Sequence, residues 1–248
     1  MHEGTGEATV ARVAANWHAV VEEVADACQR ANRSVEEVTI IGVTKYVGPE
    51  LAGILFEVGC ADLGENRPQE LWRKAAWFQS RGGDQHGARA ASLPRWHVIG
   101  HLQRNKVRRT LPLMHLLHSL DSLRLVEALV TECRRVPQSV RCLIEVNIAG
   151  DASKTGVPVD ELPRLVEAVR EYPELEVQGL MAMASLDARG DDARRQFAAL
   201  RQLRDDLQQR YAMALPHLSM GMSGDFAEAI AEGATMVRIG SRLWEGVV

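Results

Sequence analysis

Apolar residues recur three or four positions apart from about Glu7 to Ala31, where Val10, Val13, Trp17, Val20, Val24 and Cys28 fall on one face. That spacing predicts one long amphipathic helix. The pattern then changes. VTIIGVTK at 38–45 is a β-branched run of strand length, followed by Gly48–Pro49 and the helical PELAGILFEVG, so the unit reads strand, loop, helix.

The unit recurs along the chain. ADLGEN at 61–66 precedes PQELWRKAAWF, RWHVIG at 95–100 precedes QRNKVRRTL, and LLHSLD at 116–121 precedes SLRLVEALVTECRR. VRCLIEVNI at 140–148 precedes VDELPRLVEAVREY, and EVQGLMAM at 176–183 precedes a long helix around Asp191–Tyr211. HLSMGMS and TMVRIGS, at 217–223 and 235–241, complete a count of about eight strands. The βαβα order means parallel strands with helical crossovers. The expected architecture is α/β, a single (β/α)8 barrel of the TIM type formed by residues 1–248, with residues 1–35 as an extra N-terminal helix. An open doubly wound sheet competes, but no GxGxxG follows the first strand. SRGGDQHGARAAS at 80–92 lies between a helix and the next strand. It is expected to be a mobile loop on the face away from the reactive strand ends.

Composition narrows the class. Of 248 residues, 46% are hydrophobic and 25% charged, which is ordinary for a globular chain, and the net charge of −4 gives no general attraction for nucleic acid or anionic lipid. The basic run Arg104, Lys106, Arg108 and Arg109 is read as a solvated helix face. Cys28, Cys60, Cys133 and Cys142 are scattered without a CxxC, so no disulfide is expected. The first residues, MHEGTGEATV, have neither a positive n-region nor an apolar h-region, and no run approaches a membrane span. The expected compartment is the cytoplasm.

The candidate chemistry gathers at strand ends. The last two strands run out into Gly221, Ser223 and Gly224, and into Gly240 and Ser241. Small residues admit close approach, two hydroxyls can donate, and a helix start at Gly224–Asp225 favours an anion, so the pair reads as a phosphate cup. In VRIGS, Val237 and Ile239 alternate with Arg238, which therefore points into the barrel, where a cation needs a partner. Lys45 closes the first strand and, in a closed ring, lies beside the eighth. Desolvation and a neighbouring cation would free its amine to form an imine with an aldehyde. Glu65 and Asn66 after the second strand, His97 and His101 around the third, and Glu145 and Asn147 on the fifth describe a polar mouth. His97 and His101 have no fixed third ligand, so no metal is expected. An imine-forming lysine, a phosphate cup and a buried arginine together suggest pyridoxal 5′-phosphate (PLP), with Arg238 at the ring nitrogen. A permanent cation there leaves that nitrogen unprotonated and weakens the ring as an electron sink.

GVTK at 42–45, GENRPQE at 64–70, WHVIGHLQRNK at 96–106, HSLD at 118–121, EVNI with SKTG at 153–156, GLM at 179–181, LSMGMSGD at 218–225 and VRIGS at 237–241 resemble, in order, the YggS-like pyridoxal phosphate homeostasis proteins. The resemblance implies a barrel like the N-terminal domain of alanine racemase, with PLP held as a Schiff base on Lys45. It implies phosphate contacts from Ser223, Gly240 and Ser241, with Asn66 and Met222 near the ring; Gly224, His97 and Asn147 complete the expected cofactor-binding set. Two departures stand out: Tyr46 follows the lysine where a small or polar residue is usual, and the ending SRLWEGVV, with Ser241 where threonine is frequent, leaves the contact at Ser241 less secure.

The expected function is a PLP carrier acting in cofactor homeostasis without robust turnover. Its expected partners are PLP and, transiently, apo PLP-dependent enzymes, and a monomer is expected, with a dimer as the alternative. An amino-acid racemase is the enzymatic alternative. It needs a base on each face of the α-carbon, and of Tyr46, Tyr172 and Tyr211 only Tyr46 is placed near the mouth, where it is expected to pack. A lysine-dependent aldolase would keep the imine and the cup without the cofactor.

Overall fold

The computed structural model describes residues 3–81, 93–136, 138–150, 155–185 and 187–248. Eight parallel strands close into a ring. They are β1 (Thr39–Val43), β2 (Asp62–Glu65), β3 (Arg95–Val98), β4 (Leu116–Leu120), β5 (Val140–Asn147), β7 (Leu175–Met181), β8 (His217–Met222) and β9 (Met236–Ile239); β6 (Val157–Pro158) is a two-residue strand paired to β5 outside the ring. Neighbours follow chain order, and β9 returns to β1 with Ile41 opposite Arg238 and Gly42 opposite Ile239. The barrel reading therefore holds, and the open sheet is excluded. The sequence pattern did not mark β6. It is too short for a periodic signal, and its proline suits an edge.

The crossovers are α2 (Pro49–Glu57), α3 (Pro68–Arg81), α4 (Val107–Thr110), α5 (Leu123–Arg135), α6 (Leu162–Arg170), α7 (Asp191–Tyr211) and α8 (Phe226–Ala231). Helix α3 continues through Ser80 and Arg81, where the sequence suggested that a loop began; the rest of that expected loop, 82–92, lies outside the described residues. After β9 the chain makes a 3-10 turn, Ser241–Trp244. The long N-terminal helix α1 (Glu3–Arg30) packs on α2, α8 and that turn. Its buried face is Val13, Trp17, Val20, Val24 and Cys28. The Asn16 side chain donates to the carbonyls of Leu243 (3.1 Å) and Glu245 (3.0 Å), and Glu23 pairs with Arg242. The extra helix thus covers the β9/β1 seam.

Two cores result. The larger lies between strands and helices, and a small one inside the ring comprises Ile41, Leu116, Leu143, Met181 and Met236. Barrel interiors are ordinarily filled by layers of branched apolar side chains. Here part of the filling is polar: Asp62, His97, His118, Ser219 and Arg238 are all buried and linked by hydrogen bonds. Among the described residues no helix is long and apolar enough to cross a membrane. The four cysteines are free and buried.

Candidate functional site

The pairing of β9 with β1 sets the C-terminal ends of the two strands side by side, so Gly240 lies against Val43 and Lys45 follows two residues later. The Lys45 side chain is exposed, with Nζ 4.7 Å from the centroid of the Tyr46 ring. The desolvation inferred for this amine from the sequence is therefore not supplied by the barrel mouth. Tyr46 is 64% exposed and does not pack, contrary to expectation; it borders a shallow cavity with Ser241, Arg242 and Trp244.

Arg238 points inward, as its alternation with Val237 and Ile239 requires, and is only 4% exposed. Nη1 donates to the carbonyl of Ser219 (2.8 Å) and to its hydroxyl (2.7 Å), and Nη2 donates to the carbonyl of Ala182 (3.0 Å). All three acceptors are neutral, and two of the five N–H directions meet no acceptor among the described residues. Burial pulls this guanidinium down to about 10, while the carboxylates of Glu145 and Asp225 work the other way. A buried cation with donors to spare and no bonded counter-ion fits a ligand that presents an acceptor.

The cup forms where β8 and β9 end. The backbone N–H of Gly240 donates to Ser223 Oγ (3.1 Å), leaving the Ser223 hydroxyl hydrogen free to point outward. Ser241 is exposed, and nothing lies within 4 Å of where a Cβ on Gly224 would stand. Asp225 Oδ1 accepts the N–H of Met222 (2.6 Å), which folds the turn back; burial raises the Asp225 carboxyl, and that bond opposes it. Gly221 has φ +91, and a Cβ there would stand 2.6 Å from Cβ of Ala229. A glycine is therefore required for α8 to close on the strand. Because α8 has only six residues, its dipole is a weaker anion anchor than the sequence suggested. Arg242, which the sequence reading left out, donates from Nε to the carbonyl of Ser223 (2.8 Å) and pairs with Glu23, which braces the turn beside the cup. Open space, free hydroxyls and a nearby guanidinium fit a phosphorylated tail.

The remaining expected residues divide. Asn66 and Met222 are half-buried at the ends of β2 and β8, and Asn147 is half-buried at the end of β5. Glu145 is buried on the inner face, raised by burial, and bonded by the Thr155 hydroxyl. His101 lies 3.2 Å from Asp121 on the rim. His97, expected among the cofactor-binding groups, lies inside the barrel with both ring nitrogens taken by His118 and Asp62, each at 2.9 Å. Glu65 does not join the mouth. Strand parity turns it outward beneath α3, where it pairs with the fully buried Lys74, a residue the sequence analysis did not single out. Lys74 Nζ also donates to the carbonyl of Thr44 (2.7 Å), the residue before Lys45. Among the described residues no group of three or more His, Cys, Asp or Glu side chains is placed to hold a metal ion.

A family model described as the alanine racemase N-terminal domain matches residues 17–246. The chain is 39% identical over 227 residues to the pyridoxal phosphate homeostasis protein of Aquifex aeolicus, covering 91% of this chain and 94% of that one. It is 34% identical over 238 residues to the protein of the same name in Escherichia coli K12, covering 94% and 95%. Among solved structures, PipY of Synechococcus elongatus with PLP bound matches with a TM-score of 0.76 at 28% identity, over 89% of this chain and 99% of that one. An alanine racemase of Clostridium difficile matches at 11% identity with a TM-score of 0.69, over 90% of this chain and 56% of that one, a likeness of fold alone.

Proposed function

Because the chain belongs to the pyridoxal phosphate homeostasis protein family, we propose that it binds PLP at the barrel mouth, with Lys45 as the covalent anchor, and holds the cofactor for release to apo-enzymes. The observation that carries this reading is Arg238, a buried guanidinium whose bonded acceptors are all neutral and whose spare donors suit a pyridine nitrogen. When bound, PLP supplies an aldehyde that condenses with a primary amine with loss of water, and an aromatic ring that withdraws electrons.

Each residue then has a limited task. The exposed amine of Lys45 is open to the aldehyde carbon and equally open to an incoming competitor amine, which suits capture and release. Arg238 would donate a hydrogen bond to the ring nitrogen and, having no proton to give up near neutral pH, would leave that nitrogen unprotonated. Ser223, Gly224, Gly240 and Ser241 would line the phosphate site, the two serines offering their hydroxyls. Asn66 and Met222 border the ring, and Asn147 stands on the opposite rim. A weak electron sink with an accessible anchor supports storage over sustained turnover at the amino-acid α-carbon. Four buried free thiols support a reducing, cytoplasmic setting.

The test is direct. Purified protein should be yellow, and borohydride should abolish the visible band and fix the reduced cofactor to Lys45 by mass spectrometry. Lys45→Ala should show neither signal. A colourless wild-type protein that takes up no added PLP would defeat the proposal.

A further inference from the structure

The polar filling of the barrel is one connected chain. From the cofactor end, Arg238 Nη1 donates to Ser219 Oγ (2.7 Å), Ser219 Oγ lies 2.8 Å from His118 Nδ1, and His118 Nε2 lies 2.9 Å from His97 Nδ1. His97 Nε2 lies 2.9 Å from Asp62 Oδ1, which also accepts from Arg95 Nε (2.7 Å). The chain crosses the barrel from mouth to floor: Asp62 and Arg95 open β2 and β3 at the N-terminal face, and Arg95 is half-exposed there.

Its direction follows when both imidazoles are neutral. A guanidinium only donates and a carboxylate only accepts. With one proton on each imidazole, a single assignment satisfies every link: Asp62 accepts from His97 Nε2–H, His97 Nδ1 accepts from His118 Nε2–H, and His118 Nδ1 accepts the Ser219 hydroxyl hydrogen. The Ser219 oxygen is then left with its lone pairs turned to Arg238. Burial keeps His118 neutral. A carboxylate can fix the tautomer and orientation of a histidine that acts on something else; here the effect passes through two histidines and a serine.

We propose that Asp62, at the closed end of the barrel, is a positioning residue for the cofactor site, acting through His97, His118 and Ser219 to hold the Arg238 guanidinium with its free donors aimed at the mouth. The N-terminal face of such barrels ordinarily serves stability alone. This proposal rests on the PLP reading above.

The experiment uses the full chain with 15N-labelled histidine, read by long-range nitrogen–proton spectra and by PLP titration. In wild type, His97 and His118 should both carry their proton on Nε2. Asp62→Asn removes the charge that sets the direction. Both histidines should then show mixed tautomers, and PLP affinity should fall about tenfold, the equivalent of one hydrogen bond of ~1.4 kcal/mol. A purely structural Asp62 would lower the melting temperature but leave the His118 tautomer and the PLP affinity as they were. Ser219→Ala keeps the Asp62–His97–His118 segment intact and removes only the link to Arg238; it too should weaken PLP about tenfold, and it decides the matter if Asp62→Asn fails to fold. Wild-type affinity in either folded variant, or a wild-type His118 protonated on Nδ1, would overturn the relay while leaving PLP binding standing. A wild-type chain that takes up no PLP would overturn the parent reading as well, and the tautomers would still report whether the chain of bonds exists.

Discussion

Lys74→Met provides the sharpest test of how the anchor strand is held. Lys74 and Glu65 are both fully buried, and Glu65 Oε1 accepts from Lys74 Nζ and from the Thr44 hydroxyl (2.6 Å), while Glu65 Oε2 has no partner among the described residues. Removing the ammonium leaves a buried carboxylate with one neutral donor, a loss of about 3–5 kcal/mol. For a 248-residue chain the unfolding entropy is about 0.5 kcal/mol per degree at ~2.1 cal/mol/K per residue, so the midpoint should fall by about 6–10 °C. The double variant Lys74→Met/Glu65→Leu replaces the pair by apolar groups and should recover most of that loss. Thermal unfolding followed by circular dichroism at pH 7 measures all three proteins. The reasoning is refuted if Lys74→Met melts within about 2 °C of wild type, well inside the predicted drop, or if the double variant melts below the single one. Because Nζ also bonds the carbonyl of Thr44, Lys74→Met should loosen the chain that presents Lys45 and lower the yield of borohydride-fixed cofactor.

Three further outcomes follow from the geometry. Gly221→Ala forces a side chain onto φ +91 and into Ala229, so urea unfolding should show a loss of about 2–4 kcal/mol; a change below ~0.5 kcal/mol would contradict the fit. Burial raises the Asp62 carboxyl, yet the bonds from His97 and Arg95 outweigh it and hold the group at about 2, against 3.8 for a free aspartate. Its stabilisation is present above the unfolded value and lost as pH falls through the folded one. Relative to Asp62→Asn, wild type should therefore gain ~1–2 kcal/mol at pH 7, and the gap should narrow between about pH 4 and pH 2; a gap unchanged at pH 3 counts against the pairing. Finally, burial pushes the Cys142 thiol up to about 12, and the other three cysteines are also buried, so native protein at pH 8 should react slowly with a disulfide reagent and release all four thiols only in denaturant. A thiol that reacts within seconds in native buffer would show that this packing opens.

The spacing of apolar residues along the chain determined a good deal by itself. Strand and helix periods are local, so the βαβα order and the inward turn of Arg238 could be read from residues close together in sequence, whereas strand order, and so the choice of closed ring over open sheet, was decided by the β9–β1 and β4–β5 pairings. The small residues after β8 and β9 were legible for the same reason, since turn geometry is a short-range demand. Tertiary structure decided what depended on partners. Glu65 looked like a mouth residue until strand parity and the depth of Lys74 on α3 turned both into a buried pair. Tyr46 was expected to pack, yet it stands largely exposed, with the Lys45 amine over its ring. The N-terminal helix gave no sign of where it packs, because the turn it covers, Ser241–Trp244, lies more than two hundred residues away. The polar chain from Asp62 to Arg238 was hidden most completely. Arg238 and His97 stood out singly, but each member lies on a different strand, and only closing the barrel brings five strands close enough for one hydrogen bond to set the direction of the next.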